Sequence, residues 1–241
     1  MKIATVQWLK RAHYSRRLNE YNNNSEGKEI AMDIAILLFD RLTTLDAVGP
    51  YEVLSRIPGA TVKMVAKSPG PLRNDTGSLA LVADYALDQI TSPDIVVVPG
   101  GPGQSALMDD DVVLDWVRRA HQTSRWTTSV CTGSLVLGAA GLLKGLRATT
   151  HWLAYDVLRS LGAEPVAERV VVEGKIITAA GVSAGIDMAL MLVARECGDA
   201  VAQSIQLGIE YDPQPPFAAG SPGKAPAEIV ERLRARSRFK T

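Results

Sequence analysis

Cys131 stands where a strand runs into a helix with no loop between them, in Ser129-Val130-Cys131-Thr132-Gly133-Ser134. A residue at such a corner is forced into strained backbone geometry, and its side chain is thrust toward the edge of the sheet, as in a nucleophile elbow. Gly133 leaves room for the tight turn. A thiol at a helix N-terminus meets unpaired N–H groups and the helix dipole, which favour thiolate. The chemistry this allows is covalent catalysis by sulfur. The plainer reading is a small, buried, apolar cysteine. For Cys197, inside an apolar helix, the plainer reading holds.

Three further features could join Cys131. Pro99-Gly100-Gly101-Pro102-Gly103 follows a short apolar strand. It matches neither a dinucleotide fingerprint nor a Walker loop, and two adjacent glycines are weak support for a phosphate cradle. The N–H of Gly101, paired with that of Thr132, could instead form an oxyanion and substrate-binding site, or the segment could be an ordinary turn. Asp46, in Thr43-Thr44-Leu45-Asp46-Ala47-Val48-Gly49-Pro50, reads as a helix cap. Beside Cys131 in an apolar pocket, however, its pKa would rise and it could carry a proton at neutral pH. His151, twenty residues past the cysteine, could be a base or could pack.

The elements that must position these residues alternate. Residues 33–39, 61–66, 79–83, 95–98 and 126–130 read as strands, and the apolar runs among them suit buried parallel strands. Residues 46–57, 111–121 and 133–143 read as helices. Residues 169–172 and 176–178 read as a hairpin, Ser183 as the cap of a helix over 184–197, and 199–209 as another helix. The alternation predicts an α/β fold with a mostly parallel central sheet and helices on both faces. In such a sheet, ligands bind beyond the carboxyl ends of the strands, where Asp46, Gly101 and Cys131 all fall. The Pro-rich stretch 212–226 cannot be a helix, and residues 227–236 form a short basic helix. Three parts follow: an N-terminal extension over 1–31, expected to be loosely ordered apart from a short helix near 6–18; an α/β domain over 32–225; and a C-terminal helical tail over 226–241.

The 241 residues carry 26 Lys plus Arg against 26 Asp plus Glu, a balance that argues against a nucleic-acid groove. The arginines Arg232, Arg234, Arg236 and Arg238, with Lys240, read as a solvated helix face. Two cysteines and three histidines in scattered contexts give no metal-ligand spacing. No apolar run is long enough to cross a bilayer, and no secretory signal is recognisable, so a cytoplasmic protein with reduced thiols is expected.

Together the motifs resemble the ThiJ/PfpI superfamily, whose fold is similar to class I glutamine amidotransferases, a flavodoxin-like three-layer sandwich. The resemblance covers residues 32–222 and rests on Leu45-Asp46 through Pro50, Val98-Pro99-Gly100-Gly101, Val130-Cys131-Thr132-Gly133, Thr149-Thr150-His151-Trp152 and residues 180–187. Within it, residues 210–217 and 219–222 resemble the isonitrile hydratase branch. The resemblance implies Cys131 as nucleophile, Asp46 as its acid partner and Thr132 assisting, in a homodimer with the site near the subunit interface. The implied reaction is the hydration of isonitriles to N-substituted formamides by a hydro-lyase without metal or organic cofactor. Peptidase-like members place a histidine directly after the cysteine, where this chain has Thr132, and many members carry Glu where it has Asp46. Two alternatives remain: a glyoxalase-like conversion of 2-oxoaldehydes using His151 or Asp46, and a cysteine-based redox or ligand sensor without turnover. Related domains occur fused to helix-turn-helix DNA readers, and the few residues after 222 are too short for one.

Overall fold

The computed structural model describes residues 31–239. Apart from Ala31, the extension expected over 1–31, with its short helix, lies outside the described residues. In chain order the strands are β1 (Met32–Leu37), β2 (Ala60–Ala66), β3 (Gly70–Arg73), β4 (Ala80–Ala83), β5 (Tyr85–Ala86), β6 (Ile95–Val98), β7 (Trp126–Val130), β8 (Arg147–Ala148), β9 (Glu164–Pro165), β10 (Val170–Glu173) and β11 (Ile176–Ala179). The helices are α1 (Thr44–Leu54), α2 (Gln104–Leu107), α3 (Asp111–Thr123), α4 (Gly133–Ala139), α5 (Tyr155–Ser160), α6 (Ala184–Cys197), α7 (Asp199–Gly208) and α8 (Ala227–Ala235).

Seven strands form one sheet in the order β10-β11-β7-β6-β1-β2-β5, parallel throughout except where β10 returns antiparallel along β11. β1 and β6 are buried because both of their faces are covered: Ile34, Ile36, Ile95, Val96, Val97 and Val98 have no exposure. Burying a side chain of this size contributes about 1.5–3 kcal/mol. From β1 the chain passes through α1 to β2 on one side, and from β6 through α3 to β7 on the other. Right-handed crossovers in opposite directions place α1 and α3 on opposite faces. α6 and α7 join the α1 face, while α4 and α5 join α3. The α/β class with a mostly parallel sheet between helical layers is thus the observed architecture.

The reversal of direction falls between β1 and β6, the crevice that open sheets of this kind use for ligands. Local differences from the expected elements have simple causes. α4 stops at Ala139, and Gly141, with φ 82°, turns the chain away from it. Ser183 occupies the N-cap position of α6, but its hydroxyl accepts from Arg169 and makes no cap bond. β3, β5, β8 and β9 are short strands that no periodicity in the sequence marks. No helix among the described residues is long and apolar enough to cross a membrane.

Candidate active site

Cys131 adopts φ 57°, the left-handed region, at the end of β7. For a residue other than glycine this costs about 1–3 kcal/mol and persists only where the surroundings fix it. Here they do. The Cys131 N–H donates to the carbonyls of Ala179 and Ala180, both at 3.0 Å. Its carbonyl accepts from Thr150 Oγ1 at 3.0 Å and from Ser134 Oγ at 3.2 Å. Gly133 makes the turn possible, because a Cβ there would lie 2.0 Å from the Val98 carbonyl oxygen. The start of α4 therefore rests directly on the end of β6.

The two turns are locked to one another. Gly101 N–H donates to Thr132 Oγ1 at 3.0 Å, and Gly100 N–H donates to Asp46 Oδ2 at 2.9 Å. A Cβ on Gly100 would meet Thr132 N at 2.5 Å and Asp46 Oδ2 at 2.9 Å, so only glycine lets the three strand ends close up. Asp46 is 0% exposed and Cys131 is 5% exposed. Asp46 Oδ1 has no partner with hydrogen-bond geometry, while the Cys131 thiol lies close enough to act on the carboxyl group. The thiol is therefore near the carboxylate but out of line with it.

Burial pushes Asp46 up to about 7, against the pull of the Gly100 N–H and the thiol, and with a push from Asp75. Burial also pushes the Cys131 thiol up to about 12, and the Asp46 charge adds to it. The N–H groups of Thr132 and Val182 act in the opposite direction, by donating to the sulfur. The raised carboxyl agrees with expectation; the ionised sulfur does not. α4 has only seven residues, and two backbone donors do not offset the loss of water around a nearly buried sulfur. At neutral pH the sulfur therefore keeps its proton, while Asp46 is poised between its carboxyl and carboxylate forms.

Of the expected oxyanion pair, the Gly101 N–H donates to Thr132 Oγ1 and the Thr132 N–H points at the sulfur. The N–H that sequence reasoning missed is that of Val182, whose φ of 21° follows from the bend between β11 and α6. His151 Nδ1 accepts from Leu153 N–H at 3.4 Å, capping a short turn, and makes no hydrogen bond to Cys131. Burial and then Arg238 hold its pKa below the ordinary value. His151 instead lines a cleft of ≈ 510 Å³ together with Leu45, Thr150, Trp152 and Val182. Thr150 and Val182, both on its wall, also bond to Cys131, which does not itself line the cleft. The C-terminal arginines Arg232, Arg234, Arg236 and Arg238 are all exposed, and two of them also make contacts: Arg234 lies over the Trp152 ring and Arg238 donates to the Gly101 carbonyl. Among the described residues no group of three or more His, Cys, Asp or Glu side chains is arranged to hold a metal ion.

Residues 32–195 match the DJ-1/PfpI family. The chain belongs to the DJ-1/PfpI family. Isonitrile hydratase of Pseudomonas putida is 46% identical over 208 residues, covering 86% of this chain and 91% of that protein. The crystal structure of a ThiJ/PfpI family protein from Pseudomonas syringae superposes with a TM-score of 0.85 at 38% identity, over 89% of each chain. A glutathione-independent glyoxalase from Caenorhabditis elegans is 28% identical, over 56% of this chain and 73% of its own. The strand-end cysteine of this family member is thus placed by the same sheet that brings Asp46 to it.

Proposed function

We propose that the chain hydrates isonitriles to N-substituted formamides, with Cys131 as nucleophile and Asp46 as the group that moves the proton. The observation that carries this reading is a buried carboxyl group with a pKa of about 7 beside a buried thiol. The 46% identity to an isonitrile hydratase over most of both chains supports it.

An isonitrile, R–N≡C, is attacked at its terminal carbon when a proton is supplied there. Asp46 carboxylate takes the thiol proton, the sulfur bonds to the carbon, and Asp46 returns the proton to the same carbon. The product is the thioimidate R–N=CH–S–Cys131. Water then adds to that carbon, its oxygen bonding to carbon and one of its protons passing through Asp46 to nitrogen. Cleavage of the C–S bond releases R–NH–CHO, and the remaining hydroxyl proton returns to sulfur. The sum is isonitrile plus water, with no oxidation, metal or organic cofactor. Thr132 assists by holding the Gly101 turn and by aiming its N–H at the sulfur. A slim, linear isocyano group also suits a cysteine that is only 5% exposed.

The other readings fit less well. A glyoxalase using His151 needs that ring as a base near Cys131, and its Nδ1 is occupied as a cap. Redox-sensing thiols are exposed and have low pKa values, whereas this one is buried and raised. The reading extends to a cytoplasmic homodimer, for which Leu45 and Tyr51 on α1 offer exposed apolar area. Incubation of the purified protein with a small alkyl isonitrile should release the corresponding formamide. Absence of formamide, with lactate formed from methylglyoxal instead, would replace this reading by the glyoxalase one.

A further inference from the structure

Cys131 is 5% exposed, so it admits the narrow isocyano end of a substrate and not the organic group attached to it. That group has to lie in an adjoining space. The cleft of ≈ 510 Å³ is such a space, because Thr150 and Val182 stand on its wall and both bond to Cys131. Its volume falls within the about 300–1,000 Å³ of small-molecule sites. A smaller hollow of ≈ 220 Å³ is bordered by Asp33 and Pro93, at the other ends of β1 and β6 and away from the cysteine.

Two kinds of side chain on the wall define what the cleft takes. Trp152 and Tyr155 are half-buried there and offer aromatic surface. Three charged side chains accompany them. Glu168 pairs with Arg147, and Arg169 pairs with Asp187 and donates to Ser183 Oγ at 3.2 Å. Arg234 differs. Its guanidinium lies 5.8 Å from the centroid of the Trp152 ring, and it forms no ion pair among the described residues. The wall thus carries one positive charge that no neighbour cancels, beside an aromatic surface. A guanidinium held over a ring keeps its N–H donors available, and their fork matches the two oxygens of a carboxylate.

We propose that the substrate of this site is an isonitrile whose organic group carries both an aromatic body and a carboxylate, with Arg234 as the residue that selects the carboxylate. The body lies against Trp152 and Tyr155, and the isocyano carbon passes Thr150 and Val182 to the sulfur. Arg234 takes no part in the chemistry. Its attraction is the same in the ground state and the transition state, so it acts on KM rather than on kcat. The guanidinium is exposed, so the attraction has the modest size of a surface charge pair and weakens as salt rises.

The inference rests on the isonitrile reading, and two measurements keep their failures apart. In the first, kcat/KM for 2-isocyano-3-phenylpropanoate is compared with that for its methyl ester at low ionic strength. The acid should be favoured about three- to tenfold, through KM. Arg234→Gln should remove the preference and Arg234→Lys should keep part of it. Arg232→Gln changes an arginine of the same helix that does not line the cleft, and should leave the preference in place. In the second, N-formylphenylalanine and its amide are titrated calorimetrically into the protein, with no turnover needed. The acid should bind about three- to tenfold more tightly, and Arg234→Gln should equalise the two. Turnover of the ester without preference for the acid, or equal binding of acid and amide, overturns the inference and leaves isonitrile hydration standing. Equal losses of preference in Arg234→Gln and Arg232→Gln also overturn it, reducing the effect to the general charge of α8. No formamide from either isonitrile sinks the hydration reading, and with it the substrate named here.

Discussion

The two cysteines of this chain have the same side chain, and burial pushes both thiols up. Acidity at rest therefore does not separate them. Cys197 lies in the last turn of α6, half-buried, beside Glu196 and Arg125. That glutamate is already committed: it accepts from Trp126 Nε1 at 2.6 Å and pairs with Arg125. Cys131 instead has φ 57° and a neighbouring carboxyl group with one buried oxygen left without a partner. What sets Cys131 apart is a neighbour that still has room for a proton and a backbone that its hydrogen bonds hold in place.

The widest separation is expected from the sulfur itself. Cys131→Ala should abolish formamide release, while Cys197→Ala should leave the rate within about twofold, since only one sulfur forms the covalent bond. Comparable losses in both would erase the distinction. Next comes the carboxyl group. Asp46→Asn should lower turnover by about 10²–10⁴, the usual range for a lost acid–base group. In the parent enzyme, kcat/KM should fall as pH drops through about 7, because protonated Asp46 cannot accept the thiol proton.

The same substitution should make the fold more stable. The folded pKa of about 7 lies above the ordinary 3.8, so between those values the folded state holds a proton that the unfolded chain has lost. Stability contributed by this group is full below the lower value and declines as pH rises to the upper one. Asp46→Asn removes that decline, giving a gain of at most about 4 kcal/mol at pH 8 and none at pH 3.5. Urea melts at the two pH values check it, and destabilisation at pH 8 would show that the Gly100 hydrogen bond outweighs the burial of the charge. The smallest effect is expected from Thr150→Val. It removes one of two donors to the Cys131 carbonyl and should cost about 1 kcal/mol. A matching change around Cys197 has no such bond to lose.

Most of the sheet was legible because its buried strands announce themselves. Ile95 to Val98 is apolar throughout, and β1 is so from Ile34 onward. β7 was legible for another reason. Its Thr127, Thr128 and Ser129 are polar yet buried, but the abrupt passage into Gly133 marks the strand end. The position of Cys131 followed from that corner, and the raised Asp46 followed once the two were taken to be neighbours. The charge on sulfur did not follow, because a local argument from a helix end takes no account of how completely the neighbouring elements shut out water. Val182 and Arg238 were invisible for a related reason. The first matters through its backbone N–H, and the second lies 137 positions from the carbonyl it bonds. Neither distance nor direction of that kind is written in composition or period.

The order of the central strands has a consequence for assembly of the enzyme. β1, β6 and β7 lie side by side, yet Asp46 and Cys131 reach their shared edge from opposite halves of the matched region, and Cys131 is anchored to Ala179 and Ala180 at the end of β11. On the mechanism proposed above, activity cannot precede the joining of all four strands. During refolding, the return of turnover would time the last of these docking events, and a partly folded chain would be silent however much helix it had regained.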